Sequence, residues 1–188
     1  LEAAKKLIAE PNVKLLALSH ASNVLGIINP VKELFAEART RNIITLLDAA
    51  QTIGHMPIDV QDLNCDFLAA SAHKMYGPTG VGILFGRAEL LEAMPAFLGG
   101  GGMISGVYAD HFTAGLIPDK FEAGTPPIAD AIGMAVACSY IKQIGWEEIS
   151  RLENILVDYA QAEIAKRAYI KLLGVSKNKL PVFAFAID

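Results

Sequence analysis

Cysteine is nearly absent from this chain: there are two, Cys65 and Cys138, in 188 residues. Two thiols so far apart build no disulfide framework and indicate a reducing compartment, so the expected location is cytoplasmic. No Cys-x-x-Cys is present, and His20, His55, His73 and His111 follow no metal-ligand spacing, so no metal is expected. Charge is scarce as well, at 19% of residues against a hydrophobic fraction of 53%, which makes the chain more apolar than an average domain. The net charge of −4, with no basic stripe, argues against a nucleic-acid partner. Long apolar runs are missing too. The longest helical one, near Ala131–Ile141, is too short to span a bilayer, and no signal peptide is visible, so no membrane partner is expected.

What is present is an alternation of apolar runs and amphipathic stretches. Leu1–Ala9 reads as helix and Val13–Leu18 as strand. Pro30–Arg41 reads as an amphipathic helix with Val31, Leu34, Phe35 and Ala38 on one face. Ile43–Leu47, Phe67–Ala70 and Gly80–Phe85 read as strands, and Ala88–Met94 as a short helix. Two helices, Ile128–Ile144 and Trp146–Ala168, break at Gly145, and Pro181–Ile187 closes the chain as a strand. This order predicts an α/β fold with a mostly parallel sheet covered by helices. Gly99–Thr113 is the one irregular insertion, with four consecutive glycines and with Tyr108 and Phe112.

Three clusters of polar residues follow predicted strands, at the sheet edge where ligands of open α/β sheets bind. The third is the most informative. Lys74, in Ser71-Ala72-His73-Lys74, follows an apolar run and precedes a Gly/Pro-rich turn. A desolvated lysine amine can condense with an aldehyde to give a Schiff base, and Ser71 and His73 could hold a phosphate beside it, which together suit pyridoxal phosphate. The plain alternative is a solvated lysine after a strand. Asp48, ending Ile43–Leu47, could pair with a protonated ring nitrogen or simply cap the following turn. Gln51, one helical turn on, could donate to a phenolic oxygen. Asn23, in His20-Ala21-Ser22-Asn23, could reach a phenolic oxygen or a substrate carboxylate, or make an Asx-turn leading to Gly26. His20 reads as structural. Cys65 and Cys138 read as small core residues.

In order and spacing these segments resemble the class V aminotransferase family of pyridoxal-phosphate fold type I, and most of all its SUF-type (group II) cysteine desulfurases and selenocysteine lyases. The matching stretches are HASNVLG at 20–26, DAAQ at 48–51, SAHKMYGPTGVGILFG at 71–86, the glycines at 99–102 and FEAGTP at 121–126. The resemblance implies that Lys74 carries the cofactor as a Schiff base and that Asp48 pairs with its ring nitrogen. Gln51 and Asn23 would contact the phenolic oxygen, and Ser71 and His73 the phosphate. Thr125 would reach the cofactor phosphate of the partner subunit of a homodimer. Without the resemblance, Thr125 reads as a helix N-cap with Pro126 as the first helical residue. Gly99–Thr113 resembles a hairpin that packs against the partner's active site.

The implied activity is conversion of L-cysteine (or selenocysteine) to alanine, leaving a persulfide for a sulfur-acceptor protein of iron–sulfur cluster assembly. The chain starts at Leu1 and stops at Asp188, and members of the family are longer. It is therefore expected to be an internal piece: residues 1–180 belong to the cofactor-binding large domain and 181–188 begin a smaller carboxyl-terminal one. The nucleophilic cysteine and the substrate-binding arginine would lie outside it, and the piece alone is expected to be inactive. The rival readings are another class V enzyme, an aminotransferase or kynureninase-like hydrolase, and a non-catalytic dimerisation module.

Overall fold

Apolar runs and amphipathic stretches alternate in the structure as they do in the sequence. In the computed structural model, which describes residues 1–188, α1 (Glu2–Ile8) is followed by β1 (Leu15–Ser19), α2 (Val31–Thr40) and β2 (Ile44–Asp48). A short α3 (Val60–Leu63), β3 (Phe67–Ser71), β4 (Gly82–Gly86) and α4 (Ala88–Ala93) come next. A hairpin of β5 (Ile104–Val107) and β6 (Phe112–Ala114) precedes α5 (Ile128–Ile144) and α6 (Trp146–Ala165). The chain closes on a second antiparallel pair, β7 (Ile170–Leu173) and β8 (Ala184–Ile187). No helix is long and apolar enough to cross a membrane.

The main sheet has the order β1-β2-β3-β4, parallel across its first two pairs and antiparallel between β3 and β4. Val31, Leu34, Phe35 and Ala38 are all buried on the inner face of α2, as their spacing predicts. They meet Leu47, Leu68 and Ala70 from one face of the sheet, with Cys65 among them. Burying Phe35 alone is worth about 1.5–3 kcal/mol. The opposite face of the sheet carries Leu15, Ile44 and Leu84, which are exposed.

The amino edge of the sheet is fixed by a buried carboxylate. Asp66 accepts from the Thr45 backbone N–H (2.9 Å), the Thr45 hydroxyl (3.0 Å) and Arg39 Nη2 (2.9 Å). Arg87 Nε stands 2.9 Å from the same carboxylate, an ion pair that is not aligned as a hydrogen bond. A second buried charge, Lys120, donates to the Glu92 and Met94 carbonyls (2.9 and 2.8 Å), satisfying the end of α4 and tying the insertion to it.

Several expectations shift. The helix Ile128–Ile144 stands as its apolar run predicts, but Pro127 is its N-cap, with no side-chain cap, so Thr125 is not the capping residue of the alternative reading. Each residue before a proline is steered out of the helical region, which excludes Thr125 and Pro126 in turn. The last long helix ends at Ala165, and β7, unexpected from the sequence, follows it. The closing strand begins at Ala184, three residues later than its apolar run suggests, and pairs with β7. Lys74, expected to be desolvated, is exposed.

Candidate functional site at the carboxyl edge of the sheet

Parallel pairing aligns the carboxyl ends of β1, β2 and β3. Ser19 is in register with Asp48, and Asp48 with Ala69. The ladder runs on past the strands: His20 N–H donates to the Asp48 carbonyl (2.8 Å) and Ala49 N–H to the Ala69 carbonyl (2.9 Å). The topology thereby brings the clusters around His20, Asp48 and Ser71 to one edge.

After β1 the chain turns at residues 22–26. Ser22, not Asn23, makes this turn: its hydroxyl accepts from Val24 N–H (3.3 Å) and Leu25 N–H (3.1 Å). Asn23 is exposed and makes no side-chain hydrogen bond within the chain. His20 is buried and structural, with Nδ1 3.0 Å from the Thr52 hydroxyl, and burial holds its pKa below the ordinary value. Asp48 does cap the following turn, its Oδ1 accepting from Ala50 N–H (2.9 Å). Its Oδ2 has only a long contact with the Ser19 hydroxyl (3.4 Å), so one carboxylate oxygen is largely uncommitted.

Lys74 ends a 3-10 turn, Ala72–Lys74, directly after β3. The loop is closed by Ala72 N–H donating to the Val81 carbonyl (3.1 Å), while Met75 and Gly77 N–H return to the Ala72 carbonyl (2.9 and 3.0 Å). Ala72 and Met75 anchor it from beneath, buried against Met134 and Ile141 of α5 and Ile149 of α6. Tyr76 adopts a φ of 63°, rare for an aromatic residue, beside the Tyr140 ring at 6.0 Å. Strained backbone of this kind concentrates at functional sites. Lys74, His73, Ser71 and Gln51 make no side-chain hydrogen bonds within the chain, so the donors at this edge are free for a ligand.

One contact joins the second cluster to the third. Gly54, in the turn that contains Gln51, lies against the backbone of Lys74: a Cβ on Gly54 would stand 2.3 Å from the Lys74 carbonyl oxygen. Gly54 escaped the sequence reading, although a buried glycine in a turn is the residue that permits such an approach. Thr125 makes no side-chain hydrogen bond within the chain. It is exposed, and its segment packs on the glycine run, with Gly124 N–H donating to the Gly101 carbonyl (2.8 Å).

The two cysteines lie in the core. Cys65 is 1% exposed and burial pushes its thiol pKa up, and Cys138 is partly buried on α5.

Over residues 1–188 the chain matches the family model described as aminotransferase class-V. It is 45% identical over 178 residues to a probable cysteine desulfurase of Xylella fastidiosa strain 9a5c, covering 95% of this chain and 43% of that protein. It is 41% identical to a cysteine desulfurase of Pectobacterium atrosepticum, covering 91% of this chain and 42% of that one. Among solved structures it is similar to the apo cysteine desulfurase of Thermococcus onnurineus NA1, with a TM-score of 0.92 and 38% identity over 99% of this chain and 46% of that one. The cysteine desulfurase CsdA of Escherichia coli gives a TM-score of 0.89 and 36% identity over 97% and 45%. The chain spans less than half the length of these relatives.

Proposed function

Because the chain belongs to the class V aminotransferase family, we propose that it is part of a pyridoxal-phosphate-dependent cysteine desulfurase of the SUF type. The observation that carries this reading is the juxtaposition at one sheet edge of an exposed amine, Lys74, and a half-committed carboxylate, Asp48, joined through Gly54. The donor set fits the cofactor: an amine for its aldehyde, a carboxylate for its ring nitrogen, and the unpaired Ser71, His73, Gln51 and Asn23 for its oxygens.

When bound, pyridoxal phosphate supplies an electron sink for the substrate α-carbon. Lys74 would be the attachment point, and its free amine would be the base for the α-proton. Asp48 would pair with the ring nitrogen through its largely free oxygen and favour its protonated form. Ser71 and His73 would bind the phosphate, and Gln51 and Asn23 would orient the phenolic side. Thr125 would act on the partner's cofactor phosphate in a homodimer, a role supported by its exposure. The substrate is L-cysteine, or selenocysteine, and the sulfur passes to an acceptor protein of iron–sulfur cluster assembly in the cytoplasm. Neither Cys65 nor Cys138 suits attack on the substrate sulfur, since one is buried with a raised pKa and the other is partly buried on α5 against the cluster that contains Met75. The attacking thiolate therefore lies outside these residues. Residues 1–180 form part of the large domain and 181–188 start the smaller one, with the β7–β8 pair straddling the border.

The test is borohydride reduction of the purified protein with pyridoxal phosphate, followed by peptide mapping. A phosphopyridoxyl label confined to Lys74 is expected. Label scattered over many lysines, or absent, would overturn the assignment of this site.

A further inference from the structure

The turn at residues 49–56 is compact. Thr52 and Ile53 N–H donate to the Ala49 carbonyl (3.0 and 2.9 Å), and His55 and Met56 N–H to the Thr52 carbonyl (3.0 and 3.1 Å). It therefore moves as one body, and Gly54 of this body is the surface on which the Lys74 backbone rests. Two histidines hold it from different directions. His20, at the end of β1, meets the Thr52 hydroxyl at 3.0 Å, tying the turn to the sheet. His55 Nδ1 lies 2.6 Å from Glu153 Oε1 of α6, a contact between half-buried side chains 98 residues apart.

Glu153 stands one helical turn beyond Ile149, so the two share a face of α6. Ile149 is buried in the cluster with Ala72 and Met75, which flank Lys74, and Ile53 of the turn packs on the same cluster. A single face of α6 thus grips the Lys74 loop through Ile149 and the seat of that loop through Glu153.

We infer that His55 and Glu153 form a positioning pair for Lys74: by joining the 49–56 turn to α6, they fix Gly54 beneath the Lys74 carbonyl and so set where the amine stands. The pair touches no reacting atom and acts through the backbone of residues 74 and 75. The meaning of that placement for chemistry rests on the reading of Lys74 as the cofactor-bearing lysine, whereas the mechanical tie does not.

The experiment measures amide hydrogen exchange and borohydride-trapped labelling of Lys74 by pyridoxal phosphate on the same set of variants. His55→Ala and Glu153→Ala each raise exchange over residues 72–77 by about tenfold, the factor expected for losing one partly buried hydrogen bond. The double variant goes no further than either single change, because the two side chains act only through each other. Glu153→Gln, which keeps an acceptor for the imidazole, stays nearer the original protein than Glu153→Ala does. Labelling of Lys74 falls in parallel. Glu148→Ala, which removes an exposed ion pair with Arg151 on the same helix, leaves both readouts unchanged. Unchanged exchange over 72–77 in the single variants, an equal rise across β1–β3, or additive effects in the double variant would overturn the tie. Failure of the original protein to label at Lys74, with the exchange pattern intact, would instead overturn the functional reading and leave the tie standing.

Discussion

Gly54 and Lys74 lie backbone to backbone, so close that a methyl group on Gly54 would sit 2.3 Å from the Lys74 carbonyl oxygen and 3.2 Å from the Met75 Cα at the same time. Both neighbours are main chain, which cannot swing aside as a flexible side chain does. Gly54→Ala is therefore expected to push the Lys74 loop off its seat, at about 1–3 kcal/mol of stability, and to abolish selective labelling of Lys74. Gly101→Ala is the matched control. Nothing lies within 4 Å of a Cβ at Gly101, so that change leaves labelling intact. Urea unfolding and peptide mapping of both variants check this.

His20 makes stability depend on pH. Its folded pKa is lowered by burial from 6.5, so the unfolded chain takes up a proton that the folded chain refuses. The contribution is fully present above the unfolded value. It is lost as pH falls below 6.5 toward the folded pKa, and the loss stops growing below that. Urea midpoints should drop between about pH 7.5 and pH 5.5, and drop less in His20→Gln, which cannot take the proton. An equal fall in both proteins would exclude His20 as the source.

Asp66→Ala removes the carboxylate shared by Thr45, Arg39 and Arg87 and leaves the buried Thr45 donors without an acceptor, while the partly exposed guanidiniums can turn to solvent. A loss of about 1–3 kcal/mol is expected on chemical unfolding. Because Asp66 lies at the amino edge, Lys74 labelling should persist in whatever fraction remains folded.

Thiol labelling separates the two cysteines. Burial both hides the Cys65 sulfur and raises its pKa, so an alkylating reagent should modify Cys138 at least about tenfold faster in the native protein. In denaturant the two rates should converge. Fast native labelling of Cys65 would reopen it as a reactive group.

Much of this fold is legible in the sequence because its signals are local. The period of Val31, Leu34, Phe35 and Ala38 announces both the helix and its buried side. The apolar runs ending at Ser19, Asp48 and Ser71 announce three strands and hence one polar edge. The features that escaped are made by packing between distant segments. Lys120 stands between Asp119 and Phe121 like any surface lysine, and only the folded chain brings the α4 carbonyls to it. Gly54 and Lys74 are separated by α3 and β3, and no periodicity connects them. Four residues of α3 are too few for a helical period to register. Lys74 itself was expected to be desolvated, yet the edge it stands on is open to solvent. Asn23 was weighed as the turn-maker, and the neighbouring Ser22 does that work with its hydroxyl.

The loop that bears Lys74 leaves the sheet at Ser71 and returns at Gly82, and those two residues are paired with each other. Its ends are hydrogen-bonded neighbours, and the Ala72–Val81 bond closes it further. On the proposed reading of Lys74 as the cofactor-bearing lysine, an amine on so short a leash would not diffuse away when its bond partner leaves. It would remain at an effective concentration far above any free amine in solution, so that re-forming the bond would be an intramolecular event with its entropy already spent in folding.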